Sequence, residues 1–132
     1  MIWLKEGLFF VINKYSKKTS SLILSSSSVR RFELLKSIGY LPDDVFNPKV
    51  DEKPNKNEKP FELVKRLAIA KVNNARKNYK NSFIIGADTL VECAKSLLTK
   101  TENKDQARIY LQMLSGRRHR VFTGFALLTP NG

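Results

Sequence analysis

Cysteine and histidine are nearly absent from this chain. Cys93 is the one cysteine among 132 residues, so an internal disulfide is excluded and no cysteine-based metal-ligand spacing exists. A lone thiol fits a reducing compartment, and a cytoplasmic location is expected. His119, the one histidine, stands between Arg118 and Arg120. It reads as a strand-surface residue, and no catalytic triad can be assembled around it. Acidic residues are scarce as well: 12 Asp plus Glu stand against 24 Lys plus Arg, a formal net charge of +12. That excess favours anionic partners such as nucleotides, nucleic acid or a membrane surface. The basic residues are dispersed, with no long Lys/Arg block and no basic recognition helix, so specific nucleic-acid binding is not expected. Long hydrophobic runs are missing too. The run Leu8–Ile12 is too short to span a bilayer, and the polar stretch Asn13–Lys18 follows it where a secretory signal would carry a small-residue cleavage site. Residues 1–21 read as a loosely attached N-terminal extension, with a membrane-surface anchor as the alternative.

What is present is globular. A hydrophobic fraction of 42% and this length fit one domain, running over residues 22–132. Phe83-Ile84-Ile85 has the apolar, β-branched weight of a strand buried on both faces. Gly86 and Ala87 then remove side-chain bulk, and Asp88 follows at the expected strand mouth. Ligand sites in open α/β sheets lie outside the carboxyl ends of strands. A carboxylate there is costly to desolvate unless a cation, a metal or hydrogen-bond donors compensate it. The plainer reading of Asp88 is a helix cap or a turn residue.

A second strand–helix junction comes earlier. Leu22-Ile23-Leu24 is a short strand, followed by Ser25–Ser28, Val29, Arg30 and Arg31. Phe32, Leu34, Leu35 and Ile38 then recur at helical spacing, and Gly39 fits the C′ position. With Ser28 as N-cap, Arg30 and Arg31 fall at N2 and N3, where the helix N-terminus is already partly positive. A phosphate bound there would turn that penalty into an attraction, since backbone N–H groups, serine hydroxyls and guanidinium groups would share it. The alternative is a serine-rich loop with solvated arginines.

The rest of the chain alternates loops and periodic segments. Pro48–Pro60 is polar and proline-punctuated, hence a loop, and its adjacent acids Asp51 and Glu52 read as solvated on composition alone. Pro60–Tyr79 reads as a helix with the apolar stripe Val64, Leu67, Ala68, Val72, Ala75 and Tyr79; Lys65, Arg66 and Lys77 lie off that stripe and read as solvated. Lys71 falls inside the stripe, and either snorkels to the edge or reaches an anion near the strand ends. Leu90–Cys93 and Ser96–Leu98 suggest a hairpin around Ala94-Lys95, although the turn lacks the usual Asn-Gly or Asp-Gly. Lys100 stands just past it. Asn103 and Gln106 form a capping box for a helix with the stripe Ala107, Tyr110, Leu111 and Leu114, ended by Gly116. Val121–Leu128 is a last strand, and Pro130-Asn131-Gly132 announces a further hairpin.

These motifs together resemble the Maf family, the septum-formation-inhibitor-like nucleoside triphosphate pyrophosphatases. The resemblance rests on Leu24–Arg31 with Glu33-Leu34-Leu35, then Val50-Asp51-Glu52, then Arg66-Leu67-Ala68 with Ala70-Lys71. It continues through Ile85–Thr89, Lys100, Leu114-Ser115-Gly116, His119 and Val121–Gly124. It implies an α/β fold, an inosine-triphosphatase-like mixed sheet flanked by helices, with a nucleotide cleft between two lobes. It also implies hydrolysis of a nucleoside triphosphate to the monophosphate and pyrophosphate, assisted by a divalent cation, Mg²⁺ or Mn²⁺. By motif, Asp88 is the expected catalytic carboxylate, Glu52 and Asp88 the metal-side acids, and Ser26, Arg30, Arg31, Lys71 and Lys100 the triphosphate-binding residues. Gly86–Thr89 and the paired arginines look more like the branch of the family acting on dTTP and UTP than the branch acting on 7-methylguanosine triphosphate. The implied partner is the nucleotide, with neither specific nucleic acid nor membrane, and a homodimer is allowed.

The departures are specific. Family members usually carry proline where Val29 stands, Asp-Gly where Ala94-Lys95 stands, and Gly-Lys-Pro where Thr99-Lys100-Thr101 stands. The family domain continues beyond position 132, so the second lobe is expected to be incomplete, with a sheet edge exposed. Two other functional readings therefore stand beside the pyrophosphatase: an inactive truncated remnant of the family, and a basic nucleic-acid-binding module.

Overall fold

The computed structural model describes residues 20–131; the expected N-terminal extension lies almost entirely outside them. The elements in chain order are β1 (Leu22–Ser25), α1 (Val29–Ser37), β2 (Asp44–Phe46), α2 (Pro60–Arg76), β3 (Phe83–Cys93), β4 (Ser96–Leu98), α3 (Lys104–Leu114) and β5 (His119–Leu128). They form a mixed α/β fold around one five-stranded sheet, with β2, β1, β3 and β4 in that order and β5 also paired to β3. β1 runs parallel to β2 and β3, while β4 and β5 run antiparallel to β3.

β3 differs from its expectation. The sequence suggests two short strands separated at Gly86–Thr89; the structure joins them into one strand of 11 residues. The reason is β5, which pairs with β3 continuously from Ile84↔Leu128 to Cys93↔His119. Asp88 is therefore in mid-strand rather than at a strand end. β5 fills one edge of β3, so β1 and β4 must share the other. β1 covers Phe83–Gly86 and β4 covers Val91–Cys93. Between them, residues 87–90 have no strand on that edge among the described residues, and this break in the sheet replaces the expected strand mouth.

α2 lies across the face formed by alternate β3 residues. Its buried stripe is Leu63, Val64, Leu67, Ala68, Lys71, Val72 and Ala75, the expected one with Leu63 gained and Tyr79 lost. Two apolar clusters result. Val72 and Ala75 pack with Ile23 and Ile84, and Leu63, Val64 and Leu67 pack with Leu90. The helix sits close because two glycines face it. A Cβ on Gly86 would lie 2.7 Å from Val72 Cγ1, and one on Gly124, opposite Asp88, would lie 2.2 Å from the Val64 carbonyl oxygen. Pro60 opens α2, where its missing N–H costs no hydrogen bond, and the Lys59 N–H is taken by Glu62 Oε2 at 3.0 Å. The helix stops at Arg76, short of Tyr79, whose ring instead packs edge-on against Phe46 with centroids 6.0 Å apart.

The hairpin forms despite its turn chemistry. Ala94 and Lys95 both adopt left-handed backbone, φ 50° and 65°, the conformation that the two-residue turn demands and that Asn-Gly would meet more easily. In α3, Asn103 Oδ1 accepts from the Asp105 and Gln106 N–H groups, as a cap should. The return half of the expected box is different: the Asn103 N–H goes to Thr101 Oγ1 at 3.1 Å. The expected stripe of α3 is also off by one turn position. Leu111 is 68% exposed, and Met113 takes the half-buried place beside Leu114. No residue of α3 is fully buried, so its packing selects weakly among apolar side chains. Among the described residues no helix is long and apolar enough to cross a membrane.

Candidate functional site

The break in the sheet opens into a cavity of about 570 Å³. Its polar lining comes from four elements: Ser26 and Ser28 after β1, Arg31 on α1, Lys71 on α2, and Asp88 and Thr89 on β3. Glu52 joins from the loop before α2 and Lys100 from the segment after β4. Leu63, Leu67, Leu90 and Leu97 line its apolar part.

Asp88 and Lys71 meet because both sit on inward-facing positions. Asp88 alternates with Gly86 and Leu90 toward α2, and Lys71 lies four residues after Leu67 and four before Ala75 on the buried stripe. The pair falls between the two apolar clusters, and both residues are buried, 9% and 7% exposed. The Lys71 ammonium donates to Asp88 Oδ1 and reaches Glu52 Oε1 at 3.0 Å. Of the two readings of Lys71, the structure therefore realises the inward one. Two carboxylates and one ammonium converge on a single point of the cavity. A buried ion needs such compensation, because desolvation otherwise outweighs its attractions. Lys71 is fixed from behind as well: its carbonyl oxygen accepts from the Ser25 hydroxyl at 2.8 Å.

The serine–arginine junction is equally specific. Ser28 is the N-cap of α1 but makes no side-chain capping bond. Ser26, 3% exposed, accepts through Oγ from the Ser28 N–H at 3.2 Å and from Arg31 Nη1 at 3.1 Å. Arg31 Nη2 also donates to Thr89 Oγ1 at 3.3 Å, which carries the guanidinium across the break from α1 to β3. Arg30 is exposed and is not among the lining residues. The structure thus brings Ser26, Arg31, Glu52, Lys71, Asp88 and Lys100 to one cavity and leaves Arg30 outside it.

Two contributors lie in the motifs that carry the resemblance but are not among the expected site residues. Thr89 bridges Arg31 and Thr123, the latter at 3.2 Å; only the strand register places it there. Arg66, expected to be solvated, instead makes an ion pair with Glu58 at 2.7 Å. Glu58 is pulled down to about 2 by that guanidinium, helped by the Asn55 N–H.

The donor chemistry at the convergence point suits a hard cation in part. Among the described residues no group of three or more His, Cys, Asp or Glu is placed to hold a metal ion. Glu52 and Asp88 supply two carboxylates, and Mg²⁺ typically takes one or two, with water and phosphate oxygens completing its shell. Glu52 and Asp88 fit the protein's share of such a shell.

A mixed sheet broken over a cavity lined by Ser26, Arg31, Glu52, Lys71, Asp88 and Lys100 defines an α/β protein with a charged cleft. The family model described as "Maf-like protein" matches residues 21–132. The chain belongs to that family. It is 44% identical over 115 residues to a "Nucleoside triphosphate pyrophosphatase" of Anaplasma marginale (strain Florida), covering 87% of this chain and 59% of the relative. It is 42% identical over 115 residues to a "dTTP/UTP pyrophosphatase" of Wolbachia sp. subsp. Drosophila simulans (strain wRi), covering 87% and 58%. A "Nucleoside triphosphate pyrophosphatase" of Ehrlichia ruminantium (strain Welgevonden) is 44% identical over 114 residues, covering 86% and 59%. The chain therefore spans about three-fifths of the length of the curated relatives it matches.

Proposed function

We propose that the cavity binds a nucleoside triphosphate and cleaves it to the monophosphate and pyrophosphate, with dTTP and UTP as the preferred substrates. The observation that carries this reading is the convergence of Asp88 and Glu52 on Lys71 in a cavity that Ser26 and Arg31 also line. Phosphoanhydride hydrolysis is mostly positioning and charge stabilisation, and these side chains supply both. Arg31, held by Ser26 and Thr89, presents its guanidinium to the phosphate oxygens, and Lys100 adds a charge from the other wall. Lys71 holds the Asp88 carboxylate in place at the cavity, where Asp88 accepts the proton of the attacking water. Glu52 and Asp88 are the side chains that would hold a divalent cation, Mg²⁺ or Mn²⁺. When bound, that ion would lower the pKa of water and neutralise phosphate charge. The names of the relatives support the reaction class, and the Wolbachia name supports dTTP and UTP.

The test is pyrophosphate release by the purified chain offered each triphosphate with Mg²⁺. Release from dTTP and UTP above the other nucleotides, lost in Asp88→Asn, is the expected result. A folded chain that releases none from any triphosphate would contradict the activity.

A further inference from the structure

Glu52 is the exposed member of the acidic pair; its side chain is 61% exposed and its one ion pair is with Lys71. An exposed ion pair alone holds a flexible loop weakly, about 0–1 kcal/mol. The segment 47–59 contains no helix or strand, yet α2 grips it at three levels. Asn74 Oδ1 accepts from the Lys49 N–H at 3.0 Å, Lys71 takes Glu52, and Arg66 holds the portion that follows. Arg66 Nη2 donates to the Lys53 carbonyl oxygen at 2.9 Å, one residue after Glu52. Its Nε and Nη2 also donate to Glu58 Oε1 and Oε2 at 2.7 and 2.9 Å. Glu58 Oε2 closes the loop on itself by accepting from the Asn55 N–H at 2.8 Å. Asn57 makes the turn in left-handed backbone, φ 62°, which asparagine tolerates. A planar guanidinium can take a carboxylate with two donors and a carbonyl with the same fork; a lysine ammonium has no such fixed geometry.

We propose that Arg66, through Glu58 and the Lys53 carbonyl, is a positioning residue that sets where Glu52 stands and thereby how much divalent cation the site requires. This rests on the reading of Glu52 as a cation-side acid. Arg66 is not among the residues lining the cavity, and the hydrogen bonds of its side chain go to the loop, so it acts through the loop. Truncating a residue that orients a metal-side ligand costs about 10- to 100-fold in metal affinity.

The experiment compares the wild type with Arg66→Gln, Arg66→Lys, Glu52→Gln and the Glu52→Gln/Arg66→Gln double variant. Two quantities are read: amide hydrogen exchange, and the Mg²⁺ concentration giving half-maximal binding of a non-hydrolysable dTTP analogue. In Arg66→Gln the Asn55 amide exchanges faster while β3 amides keep their protection. The Mg²⁺ requirement rises by about tenfold or more, with Arg66→Lys between it and the wild type. In the Glu52→Gln background, adding Arg66→Gln changes the requirement no further. An equal rise in both backgrounds, or unchanged Asn55 exchange in Arg66→Gln, would overturn the positioning role. Wild-type protein that shows no Mg²⁺-dependent binding would instead overturn the reading of the cavity and with it the cation part of this proposal. The exchange result separates the two failures.

Discussion

The two walls of the cavity are built differently. The wall formed by β1, α2 and β3 is packed: Ile23, Leu63, Val72, Ala75 and Ile84 are all buried to 2% or less, and Ser25, Ser26, Lys71 and Asp88 are buried with them. The side formed by β4 and the Lys100 segment, with α3 behind it, is packed less well, although Leu98 is buried. α3 has no buried residue, Lys100 is exposed, and the turn before β4 holds two non-glycine residues in left-handed backbone. The groups whose placement must be accurate, Asp88 and Lys71, stand on the rigid wall. Lys100, which the proposed function has meeting phosphate, is exposed and stands on the less packed side. Preorganised charge is most effective where its supports do not move.

The sharpest way to break this comparison is at Lys71. Lys71→Met leaves a buried carboxylate unpaired and is expected to lower stability by about 3–5 kcal/mol, read by urea denaturation, and to abolish pyrophosphate release. Lys100→Met is expected to weaken nucleotide binding without a comparable loss of stability. Equal destabilisation by both would erase the distinction between the walls.

Matched truncations sharpen it further. Leu63→Ala in α2 is expected to cost about 2–5 kcal/mol, whereas Leu111→Ala in α3, an exposed position, stays within about 0.5 kcal/mol. The same denaturation experiment reads both.

How far the sequence reaches follows the same division. On the packed wall, helical spacing alone locates the α2 stripe, including Lys71, because burial there is nearly complete and the period is unambiguous. Ser28 as the α1 N-cap and Gly39 after its end, with φ +89°, are local chemistry and are legible too. β3 is not legible as one strand, since its continuity through Gly86–Thr89 depends on pairing with residues more than thirty positions later. On the soft wall, Leu111 and Met113 are nearly interchangeable in pattern, and weak packing leaves little for a period to report. Thr89 and Arg66 escape for a further reason. Each acquires its role from partners distant in sequence or set in an irregular loop, where no periodicity applies.

The turn offers a smaller effect. Replacing Ala94-Lys95 by Asn-Gly is expected to stabilise the hairpin by about 1 kcal/mol, because both positions are left-handed. A thermal unfolding midpoint unchanged or lowered would show that the soft wall carries no strain to relieve.

The smallest effect at neutral pH concerns Glu58. Its carboxyl is held at about 2 in the folded chain, below its ordinary 4.5. The sign is that of a depressed acid: its stabilisation is fully present above about 4.5 and is lost as pH falls through about 2. Side-chain NMR titration should place the Glu58 midpoint near 2 in the wild type and closer to its ordinary value in Arg66→Gln.

Equilibrium binding of a non-hydrolysable dTTP analogue in the presence of Mg²⁺, followed by calorimetry, probes both sides of the break in the sheet at once. Binding is expected to weaken by about tenfold or more in both Arg31→Ala and Asp88→Asn. Binding that is equally tight in the wild type and both variants, or absent from the folded wild-type chain, would contradict the proposed function.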